Sequence, residues 1–306
     1  MAYEYANELV RRGHEVAVVH PRRLRQSITQ PISLYWNLRR RAAHLRNILV
    51  HPTVTWQYID KRVRMLFVPE LLARYVPDAD AVFATAWQTA EYVHEYPSSK
   101  GKQFYLIQHY ETWSGPKERV DATWRFPMKK VVIAQWLYEL GLQLGIPEGD
   151  LIHIPNGIDH KKFRITRPIE SRPKRVAMLY SPVEWKGSTD GVKALEIVHA
   201  KDPNVQAVLF GTPSQRPLWL PGWISYIPNP PQEALVNDIY NGSCIYLCPS
   251  WTEGWHLPPA EAMACGCAVV STNIGGVRDY AVHGKTALLS PPHDPSALAE
   301  NLIRAR

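Results

Sequence analysis

The stretch EGWHLPPAEAMACG, Glu253 to Gly266, holds two carboxylates, Glu253 and Glu261, around a glycine, a Trp-His pair and two prolines. The apolar run CIYLCP (244–249) before it reads as a buried strand, and the small residues after it read as a helix. Glu253 therefore falls in the loop at the strand's C-terminal end. Pro258 and Pro259 open the helix, where proline loses nothing because first-turn N–H groups lack partners. Glu261 is expected in that first turn. A helix start offers unpaired N–H groups and a positive dipole end, which suit phosphate. Carboxylates suit the vicinal hydroxyls of a sugar. A nucleotide sugar offers both kinds of group.

Such residues must be positioned by a larger frame. A chain of 306 residues has room for two domains with separate cores. Short apolar runs alternate with helical patterns along all of it. Residues 14–20, 64–69, 80–85, 103–108, 130–134 and 151–155 read as strands, with helices over 87–95 and 135–144. The segment 155–173, rich in proline and mixed charge, reads as a linker. The rhythm then restarts. Strands are expected at 175–180, 205–211, 223–227, 244–249, 268–272 and 286–290, with helices over 189–200, 232–240, 259–265 and 295–305. This pattern predicts two α/β domains in tandem, residues 1–160 and 161–306, each with a mostly parallel sheet. Ligands in such sheets bind beyond the carboxyl ends of the strands.

The formal charge is +7, and residues 1–76 alone carry about +8. The basic clusters are Pro21 to Arg25, Leu38 to Arg46 and Lys61 to Arg64. They suit phosphate groups, a nucleotide or an anionic lipid surface, with a solvated basic face as the plain alternative. Nucleic acid is not expected, because no stacking-aromatic or recognition-helix pattern accompanies the charge. Residues 33–48 read as a basic amphipathic helix, with Leu34, Trp36, Leu38 and Leu45 against arginines. That suits peripheral contact with an anionic membrane through segment 22–64. No run of about 18 apolar residues suggests a spanning helix, and the N-terminus shows no signal core. The four cysteines, Cys244, Cys248, Cys265 and Cys267, are too few for a disulfide framework and lack zinc-finger spacing. They are expected as buried thiols, and a cytoplasmic setting follows.

Several ordered motifs resemble retaining GT-B glycosyltransferases of the family-4 type, also called group 1 glycosyltransferases. EGWHLPPAEAMACG is similar to their E-x7-E signature, whose usual form reads EGFGLPxxEAMAxG. CAVVSTNIGGVRDYAVHGKTALL (267–289) continues the pattern through the Gly275–Gly276 loop. IPNGIDHKKF (154–163) resembles the interdomain linker, EWKG (184–187) the phosphate-binding lysine segment, and RRGHEVAVV (11–19) the first helix–strand junction. The resemblance implies two Rossmann-like domains facing each other across a cleft, with donor site in the second and acceptor site in the first. It implies transfer of a sugar from a nucleotide-diphosphate donor to a glycan or lipid-linked acceptor, with retention and without metal or cofactor. Carried over, Glu261 accepts from the ribose diol and Glu253 contacts the transferred sugar. Backbone N–H groups from Gly254, Trp255, His256 and Leu257 hold sugar and distal phosphate, and Lys186 neutralises the leaving diphosphate. His109 lies near the donor sugar, and Asn156 with Gly157 at the cleft floor.

The match has departures. Tyr180 stands where the family has an arginine six residues before the lysine, which shifts the load to Lys186 or to another cation such as Arg278. His256 replaces a glycine. The chain also begins inside the family's first helix and ends before its closing helices, which implies an N-terminal domain without its usual first strand. A truncated, non-catalytic nucleotide- or glycan-binding module is the alternative reading. Asp78 and Asp80 have a D-x-D spacing but read as a loop, and the NGS pattern at Asn241 reads as a turn.

Overall fold

A computed structural model describes residues 2–25, 54 and 57–305. The chain forms two compact units: Met1–Val131 with Gly141–Ile152, and Val132–Leu140 with His153–Arg306. Residues 153–160, assigned to the first domain from sequence, group with the second unit. The expected amphipathic helix over 33–48 lies outside the described residues. Among those described, no helix is long and apolar enough to cross a membrane.

In the first unit, helix α1 (Ala2–Arg11) buries Ala6, Asn7 and Val10, and Ala6 and Val10, four residues apart on one face, pack on Val63. Strand β1 (Ala17–Pro21) pairs in parallel with β2 (Arg64–Val68). A second sheet runs in the order β3 (Ala81–Ala84), β4 (Lys102–Ile107), β5 (Lys129–Val132), β6 (Leu151–His153). Helices α2 (Trp87–Val93), α3 (Lys117–Trp124) and α4 (Gln135–Gln143) follow β3, β4 and β5. Helix α3 was not legible in the sequence. It buries Val120, Asp121, Thr123 and Trp124, so two of its four inward residues are polar and the apolar stripe is faint.

The second unit carries a six-stranded parallel sheet in the order β12-β11-β10-β7-β8-β9. The strands are β7 (Arg175–Leu179), β8 (Gln206–Gly211), β9 (Ile224–Pro228), β10 (Ile245–Cys248), β11 (Ala268–Thr272) and β12 (Ala287–Ser290). Helix α5 (Ser188–Lys201) and helix α7 (Pro295–Arg304) cover one face with Val192, Leu195, Val198, Leu298 and Leu302. Helix α6 (Leu257–Ala264) and the 232–240 segment cover the other with Ala262, Ile239 and Tyr240. Burial on both faces is why these strands read as continuous apolar runs. The expected helix at 232–240 is one α-helical turn (Gln232–Ala234) running into a π-helical one (Leu235–Tyr240).

Strand order reverses at β7, which lies between β8 and β10. Loops leaving such neighbours diverge and open a crevice at the carboxyl edge. Asn241 lies in a turn, as expected. It is fully buried, donates from Nδ2 to the Arg164 and Val236 carbonyls, and accepts from Thr166 N at 2.8 Å, which ties the 164–167 segment to this unit.

Candidate donor site

The loops after β7 and β10 meet at that crevice. Gly187 has φ 62°, and a side chain there would run into the Pro249 carbonyl, so glycine lets the two loops touch. Trp251 N donates to Trp185 O at 2.7 Å, which fixes their register. Lys186, at the end of a short 3-10 turn (Glu184–Lys186), thereby sends Nζ to Glu253 Oε1 at 2.7 Å. The Glu253 side chain is buried. Burial alone pushes its pKa up, but His256 and Lys186 beside it outweigh burial and the net direction is down.

Helix α6 begins at Leu257, one residue before its prolines, because His256 adopts a left-handed conformation (φ 63°, ψ 83°) that turns the chain into the helix. This corrects the expected start at the prolines and puts Glu261 in the second turn. There Tyr240 Oη donates to Glu261 Oε2 at 3.1 Å, while burial raises the carboxyl's pKa. The His256 carbonyl accepts from Tyr280 Oη at 2.9 Å, and Tyr280 packs on the buried Trp255 ring at 4.8 Å. Gly254 O accepts from Trp136 Nε1 at 2.7 Å. A side chain on Gly275 would meet the Trp136 ring at 2.5 Å, and one on Gly276 would meet the Gly254 carbonyl and Trp255 Cα. The glycine pair thus supports the 254–255 loop through close approach. Asp279 accepts from Gln135 N at 3.2 Å and so caps the start of α4.

Lys186, Glu253, His256 and the start of α6 therefore come together, with Glu261 one turn further on. Lys186, Cys248, Ser250 and His256 line a void of about 10 Å³, room for one water. Tyr180 goes elsewhere. Its ring faces Tyr226 at 5.9 Å and Trp219 at 6.1 Å, and it lines a separate 410 Å³ cavity with Trp219 and Trp251. Arg278 Nε donates to Asn273 Oδ1 at 3.0 Å. Asn156 Nδ2 is buried with no hydrogen-bond partner among the described residues, and Gly157 is exposed. In the first unit, His109 follows β4 and meets Trp113 edge-on at 4.4 Å.

Asp78 accepts from Lys100 Nζ at 2.6 Å and from Ser99 Oγ at 2.9 Å, as a loop residue would. All four cysteines are unpaired by disulfides, three of them buried and Cys244 partly so. Tyr240, Tyr280, Trp136 and Cys248 were missed as site-shaping residues. Each acts across a gap in sequence that no local spacing reveals.

Residues 175–305 match the family model described as glycosyl transferases group 1. The O-antigen biosynthesis protein RfbC of Myxococcus xanthus is 28% identical over 249 residues, covering 78% of this chain and 19% of that protein. Sucrose-phosphate synthase from Thermosynechococcus elongatus superposes with TM-score 0.65 at 18% identity, covering 98% of this chain and 82% of that one. HepE of Anabaena, solved in complex with UDP-glucose, superposes with TM-score 0.60 at 18% identity, covering 74% and 68%. The matched stretches span between 17% and 34% of the curated relatives' own length. The fold is the α/β GT-B type with parallel sheets, and residues 175–305 are a group 1 glycosyltransferase domain.

Proposed function

We propose that this protein is a retaining, metal-independent glycosyltransferase that moves a sugar from a nucleotide diphosphate to a glycan or lipid-linked acceptor. One observation carries the reading. Within the matched domain, Lys186, Glu253 and the N-terminal end of α6 converge at the carboxyl edge of β7 and β10, with Glu261 one turn on. That set offers a cation, helix N–H groups and two carboxylates, the complement of a diphospho-sugar. Glu261 takes the ribose diol, and Glu253 takes hydroxyls of the transferred sugar. Backbone N–H groups of 254–257 hold the sugar and distal phosphate, beside the Gly275–Gly276 turn. Lys186 and the helix start balance charge on the leaving diphosphate, a role that needs no metal or cofactor. The anomeric carbon loses its bond to phosphate oxygen and gains one to the acceptor oxygen on the same face, and the departing phosphate takes the acceptor's proton.

HepE was solved with UDP-glucose, which supports a nucleotide-sugar donor, and RfbC is named for O-antigen biosynthesis, which supports a glycan acceptor. His109, Asn156 and Tyr180 are assigned to substrate contacts on the family resemblance. The first unit is assigned to the acceptor and the second, with residues 132–140 and 153–160, to the donor. The basic segment 22–64 suits peripheral contact at the cytoplasmic membrane face. Sedimentation with anionic liposomes at low and high salt checks that contact, and no binding at either salt removes it.

The deciding experiment is calorimetry with UDP, GDP, ADP and dTDP on wild type and Glu261→Ala, followed by transfer and donor-hydrolysis assays with the matching sugar nucleotides. Selective binding weakened by Glu261→Ala, with turnover, supports the reading. Binding without turnover points to a non-catalytic module. No binding by the folded chain removes the donor site.

A further inference from the structure

Cys248 Sγ lies 3.0 Å from His256 Nδ1, and His256 Nε2 lies 3.5 Å from Glu253 Oε1. The same carboxylate oxygen is 2.7 Å from Lys186 Nζ. Four side chains thus form one continuous run from the end of β10 to the loop after β7. Cys248 is 1% exposed, Glu253 8% and His256 9%, so a thiol, an imidazole and a carboxylate meet almost out of solvent. Left-handed backbone at a residue as bulky as histidine persists only where its surroundings over-determine it. Here Nδ1 meets the Cys248 thiol, Nε2 stands within ion-pair distance of Glu253 without a hydrogen bond to it, and the backbone carbonyl is held by Tyr280.

We propose that His256 is a positioning residue: with Cys248 behind it, the ring fixes the Glu253 carboxylate for the hydroxyls of the donor sugar. This rests on the donor-site reading of Glu253 given above. The ring is faced by Cys248 from β10, Ser250 and Glu253 from the following loop, Lys186 from the loop after β7 and Glu261 from α6, while Tyr280 from the turn after β11 meets the backbone carbonyl. Burial opposes the imidazolium, and Lys186 adds to that. Cys248 and Glu253 outweigh both, so the net direction of the His256 pKa is upward. Burial likewise raises the Cys248 thiol, and His256 turns its net direction downward. An imidazolium carries an N–H on each nitrogen and can address sulfur and carboxylate together. A neutral imidazole has one N–H and can serve only one of them. Protonation therefore couples the thiol to the carboxylate.

The test uses the full chain as wild type, Cys248→Ala, Cys248→Ser and His256→Gly. Glycine suits the left-handed backbone, so His256→Gly removes the ring without straining the turn, and circular dichroism checks that every variant folds. NMR titration with 13C-labelled histidine and glutamate reads the His256 and Glu253 midpoints, with His256→Gly assigning the ring signal. The wild-type ring titrates above the ordinary histidine value of about 6.5. Cys248→Ala and Cys248→Ser lower that midpoint by about one pH unit, because neither keeps an ionisable sulfur beside Nδ1. His256→Gly raises the Glu253 midpoint. Calorimetry then compares UDP with UDP-glucose, and GDP with GDP-mannose. Cys248→Ala and His256→Gly lower the ratio of sugar-nucleotide to nucleotide affinity about tenfold, a loss of about 1.4 kcal/mol. In wild type the same ratio falls as pH rises through the ring's midpoint. Unmoved midpoints overturn the proposal, and so does an unchanged ratio in a chain that binds donor. If no nucleotide binds wild type, the donor reading fails and His256 has no donor to serve, while the midpoints still show whether the thiol governs the ring.

Discussion

Lys186 and Glu253 stand 67 residues apart in the chain, yet Nζ and Oε1 lie 2.7 Å apart. The glutamate side chain is 9% exposed and the lysine 28%, so the pair is shielded from screening on one side and open on the other. A ligand reaching the lysine meets a cation already oriented by a carboxylate.

Lys186→Ala is expected to lower transfer about 10²–10³-fold, the usual loss when one group stabilising a leaving anion is removed. Glu253 is then left buried without its lysine, with only His256 beside it, so Glu253→Gln should be less harmful to stability in the Lys186→Ala background than in wild type. Urea denaturation of the two single variants and the double variant gives the coupling, expected at about 0.5–3 kcal/mol. Strict additivity would mean that the ion pair contributes nothing.

Glu261 should trade stability for binding. Burial holds its carboxyl above the ordinary range, so the folded chain keeps this proton to a higher pH than the unfolded chain does. The contribution is fully present below the unfolded value, about 4.3, and is lost as pH rises through the folded one. Glu261→Gln removes that loss and can still accept from Tyr240. Its melting temperature at neutral pH should rise while nucleotide affinity falls about tenfold or more. Scanning fluorimetry and calorimetry on the same sample check both directions.

Glu253 has the opposite sign. Its folded pKa is depressed, so its contribution is present above about 4.3 and is lost as pH falls through the folded value. His256, with a raised value, contributes below about 6.5 and loses that contribution as pH rises through its folded value. Chemical denaturation across pH should therefore show an acid limb that Glu253→Gln flattens and an alkaline limb that His256→Gly flattens. The reverse assignment of limbs would contradict the site electrostatics.

Gly276→Ala should disturb the site without touching any ionisable group. Its methyl would strike the Gly254 carbonyl and Trp255 Cα, which are backbone atoms and cannot rotate aside. A cost of about 1–3 kcal/mol is expected from such overpacking, along with loss of nucleotide-sugar binding. Gly13→Ala is a control that meets nothing within 4 Å, so any cost there comes from its φ of 92° alone. Urea midpoints of the two variants separate collision from backbone preference.

Much of the architecture was legible because burial leaves a local trace. Of the twelve strands among the described residues, eleven fall within a residue or two of the apolar runs that predict them and β1 starts three residues late; the match is clean in the second unit, where strands covered on both faces are apolar throughout. Helix α6 was placed by its prolines and small residues, and Glu253 and Glu261 by the strand before and helix after. Helix α3 was not, because Asp121 and Thr123 take inward positions that periodicity expects to be apolar. The π-helical turn at Leu235–Tyr240 was invisible for another reason: i+5 pairing depends on what packs against the turn.

By itself, then, the amino-acid order determined most element types, the two-unit α/β design and which residues could do chemistry, because these follow from local periodicity and residue type. Tertiary structure alone decided who meets whom. It brought Lys186 to Glu253, turned Tyr180 toward Trp219 and Tyr226, and set Cys248 behind His256. Those outcomes depend on strand order, on loops that glycines at 187 and 276 allow to touch, and on one left-handed residue at the start of α6. Charge states followed from the same contacts, since burial and neighbours act through distance in space and not through spacing along the chain.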